Sequence, residues 1–355
     1  MYYIPLIMMT VLSIWEMKQE RKQEYRKIAF YVILLLLTAM VCLRYGQGTD
    51  YFGYMGNYYG KDVHDEIGYY LISKWFMGIG CSFEVFTFFV AAFQMICVWK
   101  AVVTWADYSM LSLLLLYPTI YLTYLFAGGR QGTVIIFFIG FMLKWLQEDK
   151  WVRYLIAVAA LCTIHSMAIV LLPIVIIKKV PMKWLGILTI AAGVGGCSIY
   201  FLPASTFAFI KIGALQYYIQ EVSFSWYGFS ERVVMMGLLS VMMYRLHKEG
   251  KTDRDDILLY KIYCYGFMMT VLFFPWSMLS SRMGAPMKAT EILLLPMLLK
   301  KCDRYKKWIF TYLICYVWLM TTKNLFMYIA QGGYIGYNAL TYPYISVFNK
   351  EFFTH

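Results

Sequence analysis

The chain has 355 residues, of which 61% are hydrophobic, 19% aromatic and 15% charged, and its mean hydropathy is +0.60. Soluble domains carry about 25% charged residues, so this composition excludes a soluble enzyme, and the apolar content excludes disorder. A net charge of +12 would point to nucleic acid in a soluble protein. Here most Lys and Arg residues sit in short loops between apolar runs, where they set membrane topology, and no nucleic-acid partner is expected.

In chain order the apolar runs fall at 2–16, 26–43, 83–103, 109–126, 131–147, 184–202, 230–246, 256–280, 284–299 and 308–329. Several approach about 20 residues, the length of a membrane-spanning helix. The expected fold class is therefore an all-α polytopic integral membrane protein of ten spans, built as a single transmembrane domain. The first run has no basic segment before it and no small-residue cleavage site, so it is expected to stay as a span. The eight cysteines form no Cys-x-x-Cys pair and read as small core hydrophobes.

Charge fixes the sides. The linker with Lys18, Arg21, Lys22, Arg26 and Lys27 is expected in the cytoplasm, which places the N-terminus and the loop 44–82 outside. The stretch 154–177 decides the rest. A single crossing there would put Arg245, Lys248, Lys251 and Arg254 outside, together with the basic cluster Lys300 to Lys307. An in-and-out path keeps both clusters inside. Each arm is then about 12 residues, or roughly 18 Å of helix, which suits a re-entrant hairpin lining a protein-walled or wet cavity. Its tip is Thr163-Ile164-His165-Ser166. Both termini are then outside, and 44–82, 203–229 and 330–355 are the long external segments. No internal repeat appears.

Chemistry-bearing residues gather at the external level. Arg44-Tyr45-Gly46-Gln47-Gly48-Thr49-Asp50-Tyr51, continuing to Tyr54, places an Arg and an Asp among tight turns and tyrosines. An interfacial aromatic belt with a snorkelling Arg gives part of this pattern; stacking and hydrogen bonding of sugars gives it too. Gly128-Gly129-Arg130-Gln131 opens a span with amides and a guanidinium suited to an anion. Arg282 lies at the same level, and Glu291 sits inside an apolar run, where an ionisable group is costly. His165, at the hairpin tip, is placed to bind an anion or move a proton. Fork-shaped Arg donors match phosphate oxygens. No metal-ligand spacing, P-loop or nucleophile motif is present.

These residues together resemble the EpsG family of Wzy-like bacterial polymerases of exopolysaccharide and capsule. The resemblance is carried by Arg44-Tyr45-Gly46-x-Gly48-Thr49-Asp50-Tyr51, Glu66-x-Gly68-Tyr69, Arg130-Gln131, His165-Ser166, Arg282 to Glu291 to Pro296, and Tyr342-Pro343-Tyr344. Gln47 stands where an apolar residue is more usual, and Ile67 where proline is expected. The resemblance implies a fold like that of the inverting C-type glycosyltransferases and substrates of oligosaccharide on undecaprenyl diphosphate. It places polymerisation at the outer face of the cytoplasmic membrane, with no cofactor, and with a chain-length regulator and a flippase of the same pathway as partners. Arg130 and Arg282, helped by Arg44, would hold the departing diphosphate, and Asp50, Glu66 or His165 would deprotonate the acceptor. Tyr45, Tyr51, Tyr54, Gln131 and Glu291 complete the expected substrate site. The rival readings are a flippase of lipid-linked oligosaccharide, an O-antigen-ligase-like transferase and a membrane scaffold.

Overall fold

The computed structural model describes residues 1–18, 23–48, 50–60, 66–126, 129–202, 206, 219, 224–330 and 344–350. Most of segments 203–229 and 330–355, expected to be external, with Thr49, Gly128, Tyr342 and Pro343 of the motifs, lie outside the described residues.

The described chain is helical. It opens with α1 (Tyr3–Lys18), α2 (Gln23–Cys42), the short helices α3 (Tyr51–Tyr59) and α4 (Ile67–Gly78), and α5 (Phe83–Trp105). Next come α6 (Ser109–Leu116), which continues as a π-helix over Tyr117–Leu125, then α7 (Gly129–Phe137) and, after a π turn at Phe138–Met142, α8 (Leu143–Gln147). The hairpin comprises α9 (Trp151–Ile164), a 3₁₀ segment (Ser166–Leu171) and α10 (Ile174–Ile177). The remainder is α11 (Met182–Phe201), α12 (Trp226–Lys248), α13 (Arg254–Leu272), α14 (Ser277–Lys288), α15 (Glu291–Lys301) and α16 (Lys306–Ala330).

Helices Glu24–Cys42, Phe83–Trp105, Met182–Phe201 and Lys306–Phe326 are each long and apolar enough to cross a membrane, and shorter apolar helices accompany them. Their outward faces carry bare aliphatic side chains, with Leu35 70%, Ile190 71% and Leu319 69% exposed. In water that surface would be costly; against lipid it is the matching solvent.

Ionic contacts collect at one end of the bundle. Arg26 meets Glu16 at 3.0 Å, Lys300 meets Asp107 at 2.5 Å, and Lys301 meets Asp253 and Asp256 at 2.6 and 2.5 Å. Asp253 also caps α13: its side chain accepts from the amides of Asp255 and Asp256, and the Asp256 side chain accepts from the Asp253 amide. The two ends of the hairpin meet at this same end. Lys178 pairs with Asp149 at 2.6 Å and reaches the Leu146 carbonyl, while Gln147 donates to Asp255 at 2.6 Å. Between the arms, the Tyr154 hydroxyl donates to the Leu171 carbonyl at 2.7 Å. The stretch thus leaves the ionic end, turns at His165 and returns to it.

One span differs from expectation. The run 256–280 ends as a helix at Leu272, because Pro275 has no amide to continue it. A new helix, α14, then runs back along α13. The approach is tight: a Cβ on Gly266 would lie 2.6 Å from the Met287 Cβ and 3.4 Å from the Gly284 carbonyl oxygen. A second interruption at Ala289-Thr290 separates α14 from α15, which reaches the ionic end through Lys301. One broken rod therefore retraces α13, with Lys288 and Glu291 flanking the break.

Candidate active site

At the opposite end from the ionic cluster, α4, α7 and the hairpin turn converge. Glu66 sits at the residue before α4 and faces all of them. Its Oε2 forms an ion pair with Arg130 Nη1 at 2.5 Å, and its Oε1 lies 3.1 Å from His165 Nδ1. The Ser166 amide donates to the same Oε1 at 3.3 Å. Gly68 makes this docking possible, since a Cβ there would run into the Thr163 side chain. The Glu66-x-Gly68 spacing is therefore a packing requirement as well as a motif.

Arg130 is held from several directions. Its guanidinium lies over the Tyr54 ring at 4.7 Å and the Tyr69 ring at 5.5 Å, cation–π contacts with both. Gln94 anchors the start of α7, donating to the Gly129 carbonyl at 2.8 Å and to Thr133 Oγ1 at 3.0 Å. Gly132 lets α7 touch the Tyr124 backbone of the π-helix, where a side chain would collide.

Gln131 has a different task. Pro286 lacks the amide that would bond to the Arg282 carbonyl four residues earlier in α14. The buried Gln131 side chain supplies the missing donor, from Nε2 to that carbonyl at 3.2 Å. Arg282 is thereby tied to Arg130's helix.

His165 Nδ1 has two candidate partners: it is 3.1 Å from Glu66 Oε1, and the Met167 amide points at it from 3.3 Å. One nitrogen cannot both donate to the first and accept from the second. With Glu66 ionised against Arg130, the charge-assisted bond is the stronger. The imidazole then carries its proton on Nδ1 and keeps Nε2 free to accept one. Burial pushes the Glu66 carboxyl upward, and Arg130 pulls it back. Neutral imidazole beside a carboxylate is the arrangement of an oriented general base.

His165 opens onto a cavity of about 520 Å³, whose lining includes Asp50, Tyr54, Gln131, Arg282, Ser281 and Arg232. Five expected residues thus share one cavity wall: Asp50, Tyr54, Gln131, His165 and Arg282. Glu66 and Arg130 stand directly behind His165 and Tyr54. The other expected residues lie elsewhere. Arg44 is buried, with Nη1 donating to the Val41 carbonyl at 2.9 Å and its guanidinium over Phe126 at 5.4 Å. It bridges to Ser346 and so ties down residues 344–350. Tyr45 and Tyr51 pack on each other at 5.7 Å, and Tyr51 on Phe83 at 5.2 Å. Glu291 is buried and accepts from the Tyr263 hydroxyl at 3.2 Å.

Sequence reasoning missed the inner end of the cavity, formed by Glu231, Arg232, Lys288 and Lys323. The signal was available: each lies within an apolar run, 230–246, 284–299 or 308–329, the criterion that singled out Glu291.

The model of the EpsG family matches residues 27–346, and the chain belongs to that family. No curated protein and no solved structure matches it.

Proposed function

We propose that this member of the EpsG family is a membrane polysaccharide polymerase, an inverting glycosyltransferase that joins oligosaccharide repeat units carried on a polyprenyl diphosphate. The observation that carries this reading is the Glu66–His165 pair, backed by Arg130, at the turn of a hairpin that opens into a polar cavity. A repeat-unit hydroxyl in the cavity attacks the anomeric carbon of a second, lipid-linked glycan. The new carbon–oxygen bond forms as the bond to the diphosphate breaks, and the electron pair leaves with the diphosphate. His165 Nε2 takes the hydroxyl proton. Glu66 fixes the ring and stabilises the imidazolium that forms. Arg282 offers positive charge to the departing diphosphate. Asp50, on the same wall, is the second candidate for the base.

The diphosphate is a good leaving group, so the reaction asks the protein for positioning, proton transfer and charge stabilisation. The site faces the cell exterior if the ionic end, rich in Lys and Arg, is cytoplasmic. Reconstitution of the purified protein in vesicles with a lipid-linked repeat unit tests the reading. A ladder of polymer that disappears with His165→Ala supports it. Transfer of unpolymerised substrate between leaflets would favour a flippase, and an unchanged substrate pool would leave a scaffold.

A further inference from the structure

The inner end of the cavity collects more positive than negative charge. Lys288 is paired with Glu231 at 2.7 Å, and the Tyr316 hydroxyl donates to the same carboxylate at 2.5 Å. Arg232 is held by hydroxyls alone, donating from Nη1 to Thr270 Oγ1 at 3.3 Å and to Ser280 Oγ at 3.1 Å. Lys323 lines the same end, with Glu231, Arg232 and Lys288 as its electrostatic neighbours, and makes no hydrogen bond or close ion pair with any described residue. Glu291 lines a smaller adjoining void of about 30 Å³ together with Arg232 and Lys288, and accepts from the Tyr263 hydroxyl. Among the described residues at this end, Arg232, Lys288 and Lys323 thus stand against two carboxylates, Glu231 and Glu291, which leaves one positive charge in excess. Positive charge in excess within a membrane bundle is costly unless an anion comes to it.

The same cavity has one apolar wall, made by Phe224, Phe229, Phe274 and Met278. Phe274 packs on Phe224 at 5.3 Å and on Phe229 at 5.7 Å. This wall continues to the bundle surface, where Met278 is 49%, Trp226 72% and Tyr227 82% exposed. A cationic pocket leading along an aromatic wall to an exposed apolar surface matches a diphosphate with a long apolar chain. Free pyrophosphate would use the cations and gain nothing from the wall.

We infer that the inner end is the seat of a prenyl diphosphate: Arg232 and Lys323, with the Glu231-paired Lys288 beside them, hold the diphosphate oxygens. The prenyl chain leaves over Phe229, Phe274 and Met278 into the bilayer. The identity of that lipid as the glycan carrier rests on the polymerase reading. The cavity then has a direction, with the diphosphate at the inner end and the reacting hydroxyl at the His165 end.

The test is binding of farnesyl diphosphate and of inorganic pyrophosphate to the purified full-length protein in nanodiscs. The wild type is expected to bind farnesyl diphosphate more tightly. Charge-assisted contacts of this kind are worth about ten- to a hundredfold each in affinity, so Lys323→Gln and Arg232→Gln should weaken both probes by that factor. Phe229→Ala should weaken farnesyl diphosphate alone. If Arg232→Gln does not purify as a monodisperse protein, Lys323→Gln carries the test, since its side chain holds no structural contact among the described residues. Unchanged farnesyl diphosphate affinity in folded Lys323→Gln overturns the seat, and equal affinity of the wild type for both probes overturns the tail path. Polymer ladders are scored in parallel. Ladders from the wild type with unaltered diphosphate binding by Lys323→Gln remove the seat and leave the polymerase. Loss of binding in Lys323→Gln without ladders from the wild type does the reverse.

Discussion

Glu66→Gln is the sharpest perturbation of the candidate active site, because it keeps the shape of the side chain and removes its charge. In the native protein one carboxylate oxygen serves Arg130 at 2.5 Å and the other receives the Ser166 amide while facing His165 Nδ1 at 3.1 Å. A glutamine has a single acceptor oxygen, so one of those two sides must meet its NH₂ group, donor against donor. If the amide oxygen stays with Arg130, the His165 proton loses its partner. The Met167 amide, 3.3 Å from Nδ1, then captures that nitrogen as an acceptor, and the ring proton moves to Nε2. The base is thereby converted into a donor.

Breaking a fully buried pair costs 3–5 kcal/mol. Here the two side chains are 23% and 13% exposed, so water offsets part of it and about 2–3 kcal/mol of stability is expected to go. Loss of general-base catalysis lowers the rate by about 10²–10⁴, roughly 3–5 kcal/mol of barrier at 1.36 kcal/mol per tenfold. The assay is the initial rate of ladder formation by reconstituted protein, with thermal unfolding of the same preparation as the stability readout. Polymerisation within twofold of wild type by folded Glu66→Gln would refute the assigned tautomer and the role of Glu66 together.

Gly68→Val should drive α4 off Thr163 and lower polymer yield at least tenfold, measured against the amount of protein in the membrane. Gln131→Leu leaves the Arg282 carbonyl without its donor and should lower stability by about 1–3 kcal/mol, read as earlier thermal unfolding. With His165 as the base, polymerisation should fall as the pH is lowered through the imidazole range, about 6.5; activity that instead falls as pH rises would make His165 a cationic phosphate ligand. In a background with the native cysteines replaced, a cysteine in 245–256 should resist an impermeant thiol reagent applied to intact cells and one in 50–60 should react, the opposite pattern overturning the sidedness of the site.

The path of the hairpin was legible because charge makes topology a parity problem. An odd number of crossings over 154–177 would have exported Lys251 and Lys301, which the structure instead joins to Asp303 and Asp253 at the same end as Arg26 and Glu16. Arg130 and His165 stood out because each interrupts an apolar stretch, whereas Glu66 lies in the polar run 61–66 and was singled out only by its motif with Gly68 and Tyr69. Arg44 satisfied the same criterion and yet holds a carbonyl and an aromatic ring outside the cavity lining, because sequence gives the depth of a side chain and not its azimuth about the bundle. Arg232, Lys288 and Lys323 were hidden by the opposite weakness. They come from α12, α14 and α16, remote in sequence, and their meeting depends on α14 folding back along α13 after Pro275.

That fold-back belongs to a wider pattern in which interruptions of regular helix gather around the cavity. The π-helix supplies Thr119, Thr123 and Tyr124 to its wall, the hairpin turn supplies His165, and the broken rod supplies Arg282 and Lys288. Straight helices close their own backbone hydrogen bonds and pack as cylinders, which leaves no room for a polar void of this size. Each interruption widens the bundle and frees carbonyls and amides that need new partners. Some find side chains, as Gln131 serves the Arg282 carbonyl and Asn324 donates to the Pro118 carbonyl at 2.7 Å. Irregular backbone at membrane depth is tolerated where protein or water satisfies it, so its concentration around one cavity marks a wet compartment inside the bundle. A wet compartment also accounts for the acceptability of Arg232 and Lys323 there, at a depth where hydrocarbon alone would expel them. The backbone interruptions and the cations lining the cavity are therefore two consequences of the same requirement, a polar space inside the bundle.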